Sequence, residues 1–250
     1  MRRQKQASTG LFRQEDARKI LSPDAPFQER EAYNAIRTNL LFSQRGEKCP
    51  VFAVTSPTAN NGKTLNSVNL AVAYAQMGKK TLLIDADMRN PTVHKMFHLP
   101  GKNGLSEFLA GLQSEITPLE TDREDLYILP AGAAPPNPAE LLAGAQARRL
   151  IERVRNRFDC VFIDTPPVNI VTDATLLGTA VTGYILIVKA GSTVKAEVRT
   201  ALNLLGQVDA VILGFILNNV TPQNSAYGAH YKYGYSHYAN RTQREMRDEN

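Results

Sequence analysis

VFAVTSPTANNGKTLNSVNLAVAYAQMGKKTLLIDAD, residues 51–87, decides how the whole chain is read. It opens with an apolar run, Val51 to Ser56, and breaks at a turn-rich loop. A helical pattern then runs from Lys63 to Met77, and a second apolar run stops on Asp85 and Asp87. Runs that are apolar almost throughout are strands buried on both faces, and two such strands joined by a helix lie parallel.

The same alternation continues outward. Further strands are expected in LYILPAG, CVFIDTPP, YILIVKAG and AVILGFILN, with helical periods over Glu140 to Arg157, Asp173 to Thr182 and Lys195 to Val208 between them. Upstream, Tyr33, Ile36, Leu40 and Leu41 recur at helical spacing within Glu29 to Phe42. The expected fold is therefore α/β, a mainly parallel, doubly wound sheet with helices on both faces. A chain of 250 residues with 43% hydrophobic content can bury one substantial core. We place that domain at 26–222. A flexible N-terminal arm is expected over 1–25, and a flexible Tyr-rich tail, too poor in aliphatic residues to join a core, over 223–250.

Bulk properties narrow the function. The longest apolar stretch, Leu176 to Val188, is interrupted by Gly178, Thr179, Thr182 and Gly183, whereas a membrane span needs about 20 mainly apolar residues. The N-terminus MRRQKQASTGLF lacks the apolar run of a secretion signal, so a cytoplasmic location is expected. Cys49 and Cys160 precede separate strands and are expected as free, buried thiols. The net charge of +5 is partly carried by Arg2, Arg3 and Lys5 at one end and Lys232, Arg241, Arg244 and Arg247 at the other. That distribution reads as solvated ends, and no nucleic-acid partner is expected.

In an open parallel sheet, ligands sit beyond the carboxyl ends of the strands. Polar groups collect at three such ends here. In TSPTANNGKT the strand ends at Thr55 and Gly62-Lys63-Thr64 opens a helix, the arrangement in which backbone N–H groups wrap phosphates. Lys63 would neutralise the terminal phosphates and Thr64 would ligate magnesium. The loop departs from G-x-x-x-x-G-K-[ST] at Pro57 and carries Asn60 and Asn61, and Asn tolerates positive φ. LLIDADMR sets Asp85 and Asp87 at a second strand tip, and VFIDTPP sets Asp164 at a third. Carboxylates directly after buried apolar residues are costly unless a metal or partner compensates them. Asp164 is expected to hold magnesium through water, and one of Asp85 and Asp87 to accept a proton from an attacking hydroxyl or water.

LLIDADMRNP, VFIDTPP followed by VTDA, NLAVAYAQMGKKTLLIDAD, GLSEFLAG and LPAGAAPPNPAELL together resemble the bacterial tyrosine kinases of the polysaccharide co-polymerase systems. Those kinases form a branch of the P-loop ATPases alongside the partition and septum-site ATPases. The resemblance runs from about Glu31 to the C-terminus. It implies ATP and Mg2+ as cofactors, with Asn60, Asn61, Gly62, Lys63, Thr64, Leu65 and Asn218 at the nucleotide, the last beside the base. It implies Thr64, Asp85 and Asp164 at the metal, and Lys63, Asp85 and Asp87 in catalysis, without dividing the labour between the two aspartates.

The resemblance also implies trans-autophosphorylation of the tail cluster Tyr227, Tyr231, Tyr233, Tyr235 and Tyr238, other protein tyrosine substrates, and regulation of capsular or exopolysaccharide biosynthesis and export. A transmembrane activator of the co-polymerase type would recruit the domain to the inner face of the membrane. EAYNAIRTNLLF resembles the family's E-x-x-R-x-x-R association motif with Glu31 first, Asn34 in the middle and Arg37 last, implying self-association through Glu31 and Arg37. The competing function is a septum-site or partition type ATPase switch. Many of those carry a second Lys five residues before the loop Lys, where this chain has Thr58. A non-catalytic adaptor is the third reading. His94 and His98 lie four apart without a third ligand nearby and are not read as a metal pair.

Overall fold

Residues 19–43 and 46–221 are described by the computed structural model. Their elements follow in the order α1 (Phe27–Ser43), β1 (Val51–Thr55), α2 (Lys63–Ala75), β2 (Thr81–Asp85), α3 (Val93–Met96) and α4 (Leu105–Leu109). Next come β3 (Leu119–Glu120), β4 (Leu126–Leu129), α5 (Pro138–Ala143), α6 (Ala145–Arg155) and β5 (Cys160–Asp164). A 3-10 helix (Thr175–Ala180), β6 (Gly183–Lys189), α7 (Lys195–Gly206) and β7 (Ile212–Asn218) complete the chain.

The seven strands form one sheet in the order β3-β4-β2-β5-β1-β6-β7. All neighbours are parallel except β3, a two-residue edge strand that runs antiparallel to β4. The central strands β1, β2 and β5 are continuous apolar runs because both faces are covered, whereas edge strand β7 leaves Phe215 and Leu217 exposed. In β5, Val161 and Ile163 enter one core with α4 to α7, while Cys160 and Phe162 enter the other with α1 and α2. On the α2 side, Phe52, Tyr74 and Phe162 pack ring against ring, with centroids 5.2 Å apart for Tyr74 and Phe162. Each such fully buried ring is worth roughly 1.5–3 kcal/mol. This packing fixes the helix that starts at the phosphate loop against the strand that ends on Asp164. Cys49 and Cys160 are free and buried, as expected.

Three details differ from the sequence reading. The arm does not extend through residue 25, because Ile20 and Leu21 are buried in the α1–α2 core. The Leu21 N–H donates to Asn69 Oδ1 at 2.8 Å, and Asn69 Nδ2 donates to the Lys19 carbonyl. Two apolar residues in a polar stretch show no periodicity, so the sequence around them does not mark them as buried. The helical period over Glu140 to Arg157 is split at Gly144, whose extended backbone (φ −71°, ψ 162°) separates α5 from α6. The period over Asp173 to Thr182 becomes a 3-10 turn that Gly178 kinks at φ 44°.

Candidate functional site

Strands β2, β5 and β1 are adjacent, and their carboxyl ends lie in register. Asp164 is opposite Val54 of β1 on one side and Asp85 of β2 on the other. Lys63, the first residue of α2, reaches back over these tips. Its Nζ donates to Asp164 Oδ1 at 2.8 Å and lies 3.7 Å from Asp87 Oδ2. The Thr64 hydroxyl donates to Asp164 Oδ2 at 2.7 Å, and the Ser67 hydroxyl donates to Oδ1 at 2.8 Å. The residues read from three separate stretches of sequence thus form one cluster.

Its electrostatics are unbalanced. Three carboxylates, Asp85, Asp87 and Asp164, face one cation, and Lys63 is only 7% exposed. Burial opposes the charge on Lys63, but Asp164 and Asp87 outweigh it and raise its pKa above the ordinary value. Asp85 is pushed up to about 8, first by burial and then by the Asp164 charge. Burial also raises Asp87, with Lys63 opposing. A divalent cation would relieve this excess. Among the described residues no group of three or more His, Cys, Asp or Glu side chains is arranged to hold a metal by itself. The donor set instead fits magnesium, which is usually bound by one or two carboxylates together with substrate phosphates and water. Thr64, whose proton is directed to Asp164, accepts Lys63 Nζ at 3.2 Å and keeps a second lone pair for such an ion.

The two aspartates of β2 have different surroundings. Asp85 is fully buried; its Oδ1 accepts the Asp87 N–H at 3.2 Å, and its Oδ2 accepts the Thr92 and Val93 N–H groups at 3.1 Å. Asp87 is 9% exposed, with Oδ1 accepting the Asn90 N–H.

The loop between β1 and α2 turns through two left-handed residues. Asn60 adopts φ 64° and Gly62 φ 85°, both left-handed, so asparagine does serve in place of one glycine. Gly62 has no such substitute, because a Cβ there would lie 2.0 Å from Asn218 Nδ2. Asn218 donates to the Asn61 carbonyl at 2.8 Å, and the Thr193 hydroxyl bonds Asn61 Oδ1, so the ends of β6 and β7 brace the loop. The Leu65 side chain packs on the α1–α2 core, leaving only its backbone for a ligand. The segment after β5 also lines the loop, with the Val168 N–H donating to the Ser56 carbonyl at 2.9 Å.

Three further residues at the site, Ser67, Arg89 and Asp173, are not marked by any local period. Ser67 is one turn beyond Lys63 on α2. Arg89 makes a two-pronged ion pair with Asp173 at 2.9 and 3.0 Å, joining the loop after β2 to the loop after β5. Both lie inside quoted motifs, LLIDADMR and VTDA, where an unpaired Arg and Asp were the available clue. Glu31 and Arg37, expected to serve self-association, both lie on α1. Six residues turn a helix by about 600°, which carries Arg37 off the face of Glu31. Arg37 Nη1 donates to the Ala73 carbonyl of α2, and Glu31 accepts from Asn34, so both are engaged within the chain. Tyr227, Tyr231, Tyr233, Tyr235 and Tyr238 lie outside the described residues. A cleft of about 560 Å³ lined by Ser22, Ala75, Gly78 and residues 122–125 opens at the far end of α2 and contains none of the groups above.

Comparison with known proteins places this cluster. The family model described as an AAA domain matches residues 51–205. Tyrosine-protein kinase CpsD of Streptococcus agalactiae is 39% identical over 207 residues, 82% of this chain and 89% of that protein. The chain belongs to the bacterial tyrosine kinases. Other kinases of the group share its fold. The kinase domain of Escherichia coli tyrosine kinase ETK aligns with a TM-score of 0.75 at 35% identity, over 79% of this chain and 78% of that one. The chimerical protein CapA2B2 gives 0.74 at 36%, over 80% and 87%. More distant is the septum-site-determining protein MinD of Pyrococcus horikoshii, solved with Mg-ADP, at 0.58 and 25% identity over 68% and 70%. In this kinase, Lys63, Thr64, Asp85 and Asp164 therefore stand on a P-loop scaffold known to accept a magnesium nucleotide in a relative.

Proposed function

We propose that this chain is a protein-tyrosine kinase that transfers the γ-phosphoryl group of Mg-ATP to tyrosine hydroxyls, beginning with Tyr227, Tyr231, Tyr233, Tyr235 and Tyr238 of another copy. The observation that carries the reading is the convergence of Lys63, Thr64, Asp85, Asp87 and Asp164 at three neighbouring strand tips, in a chain 39% identical to a tyrosine-protein kinase. The bound nucleotide supplies the phosphoryl group, and magnesium neutralises it. The N–H groups of residues 60–64 and Lys63 hold the phosphates. Lys63, paired with Asp164, would turn to the phosphates, and Asp164 with Thr64 would then hold magnesium. Asp87, nearer the surface and less fully hydrogen-bonded than Asp85, accepts the proton of the attacking tyrosine hydroxyl. Asp85 holds the loop that presents Asp87 and borders the metal. Catalysis is then positioning plus charge neutralisation.

Among the described residues no helix is long and apolar enough to cross a membrane. We place the chain at the inner face of the membrane, held by a transmembrane activator of the polysaccharide co-polymerase type and acting in capsular or exopolysaccharide export. Self-association through the α1 surface is part of the same proposal. The competing reading, a MinD-like ATPase switch, is favoured by the likeness to the Mg-ADP complex of MinD and opposed by Thr58 where a second lysine would stand.

Incubation with Mg-ATP tests the proposal. Mass spectrometry is expected to find phosphate on the tail tyrosines, and Lys63→Met to abolish it while circular dichroism reports a folded chain. ATP hydrolysis with an unmodified tail would overturn the kinase reading in favour of the switch.

A further inference from the structure

Helix α2 carries two asparagines, Asn66 and Asn69, that are 2% and 3% exposed in an otherwise apolar stretch. A buried amide is costly unless its groups are paired. Asn69 serves the chain before α1, through Lys19 and Leu21, and its side chain also lies beside the Tyr33 hydroxyl. Asn66 is spent differently. Its Nδ2 donates to the Gly62 carbonyl at 2.8 Å, the same oxygen that accepts its backbone N–H at 3.0 Å. Its Oδ1 accepts the hydroxyl of Tyr33, on α1, at 3.1 Å. Gly62 is the left-handed residue immediately before Lys63.

We propose that Tyr33 is a positioning residue of the phosphate loop: its hydroxyl fixes the Asn66 amide, which in turn holds the Gly62 carbonyl and so the conformation from which Lys63 meets the phosphates. The inference rests on reading residues 57–64 as a nucleotide site and adds a control over it. Burial pushes the Tyr33 phenol above its ordinary pKa, so the hydroxyl remains a donor throughout the working range. Arg37, one turn beyond Tyr33 on α1, grips α2 about two turns beyond Asn66, through the Ala73 carbonyl, so α1 and α2 are joined at two points. Any partner that shifts α1 is then felt at Gly62.

The test uses the full chain and Mg-ADP as probe, with affinity from isothermal titration calorimetry. Tyr33→Phe is expected to weaken binding by about three- to tenfold, the range of one hydrogen bond. Asn66→Ala should lose at least as much. The double variant should bind no more than about twofold more weakly than Asn66→Ala, because Tyr33 acts through Asn66. Hydrogen exchange over residues 58–64 should rise in Tyr33→Phe while β5 and β6 stay protected, a change that loss of general stability would not produce. Wild-type affinity in Tyr33→Phe, or losses that multiply in the double variant, overturns the proposal alone. A wild-type chain that fails to bind Mg-ADP overturns the nucleotide reading and this inference with it.

Discussion

Asp85 and Asp87 are two residues apart and chemically unlike. Asp87→Asn removes the proton acceptor while leaving Lys63 and Thr64 in place. Turnover is expected to fall by roughly 10²–10⁴-fold, the usual weight of a general base, with Mg-ADP affinity within a few-fold of wild type. Full activity in Asp87→Asn, with loss in Asp85→Asn, would reverse the assignment. Asp85 makes a second prediction, for the chain without metal or nucleotide. Its folded pKa of about 8 lies above the unfolded value near 3.9. Between those values the folded chain keeps a proton that the unfolded chain has released. The resulting stability is complete below the unfolded pKa and is lost as pH rises toward and through 8. Asp87, also raised, adds in the same direction. The thermal midpoint in EDTA should therefore fall from pH 5 to pH 8.5, and Asp85→Asn should flatten that slope. A slope unchanged in the variant would show that another group titrates.

At the level of elements, the site is held by what joins loop to loop. Asp173 has a fully buried side chain, whereas Arg89 keeps 42% of its own exposed. The two ends of the pair should respond unequally. Arg89→Ala strands a buried carboxylate and is expected to cost about 2 kcal/mol, less than the 3–5 of a fully buried pair because the guanidinium is half in water. Asp173→Asn lets the arginine re-solvate and retains one acceptor, so roughly 1 kcal/mol is expected. Urea denaturation measures both, and an equal or inverted order would sink the argument. The contrast also explains what the sequence could carry. Strands β1, β2, β5, β6 and β7 and helix α2 were legible because each of these strands is a continuous apolar run, and the carboxylates that end β2 and β5 stand out. The Arg89–Asp173 pair, the Tyr33–Asn66 contact and the packing of Ile20 and Leu21 were not, since each joins residues far apart in sequence and none alters a local period. Gly144 was overlooked because one glycine leaves the apolar period of α5 and α6 intact.

Across the whole molecule, the order β2-β5-β1 is what assembles the site, and sequence order conceals it: β5 follows β2 by some distance and inserts between it and β1. Only the polar groups at their ends, Asp85 on β2, Asp164 on β5 and the Lys63 loop after β1, hinted that the tips of these three strands meet. Because ligands there would bridge three central strands, binding should stabilise the entire domain rather than one loop. At a free Mg-ADP concentration of about 100 times Kd, linkage gives about 2.7 kcal/mol. A domain of this size gains about 2–4 °C per kcal/mol, so the midpoint should rise by roughly 5–10 °C as a single transition. EDTA should remove most of the gain, since Asp85, Asp87 and Asp164 then face the phosphates uncompensated. Lys63→Met should start lower, because it leaves Asp164 and Asp87 without their cation, an effect of about 3–5 kcal/mol, and should gain nothing from the nucleotide. Differential scanning calorimetry of both proteins, with and without ligand, decides the matter. An equal gain in the variant would mean that Mg-ADP binds somewhere other than the loop Lys63 opens.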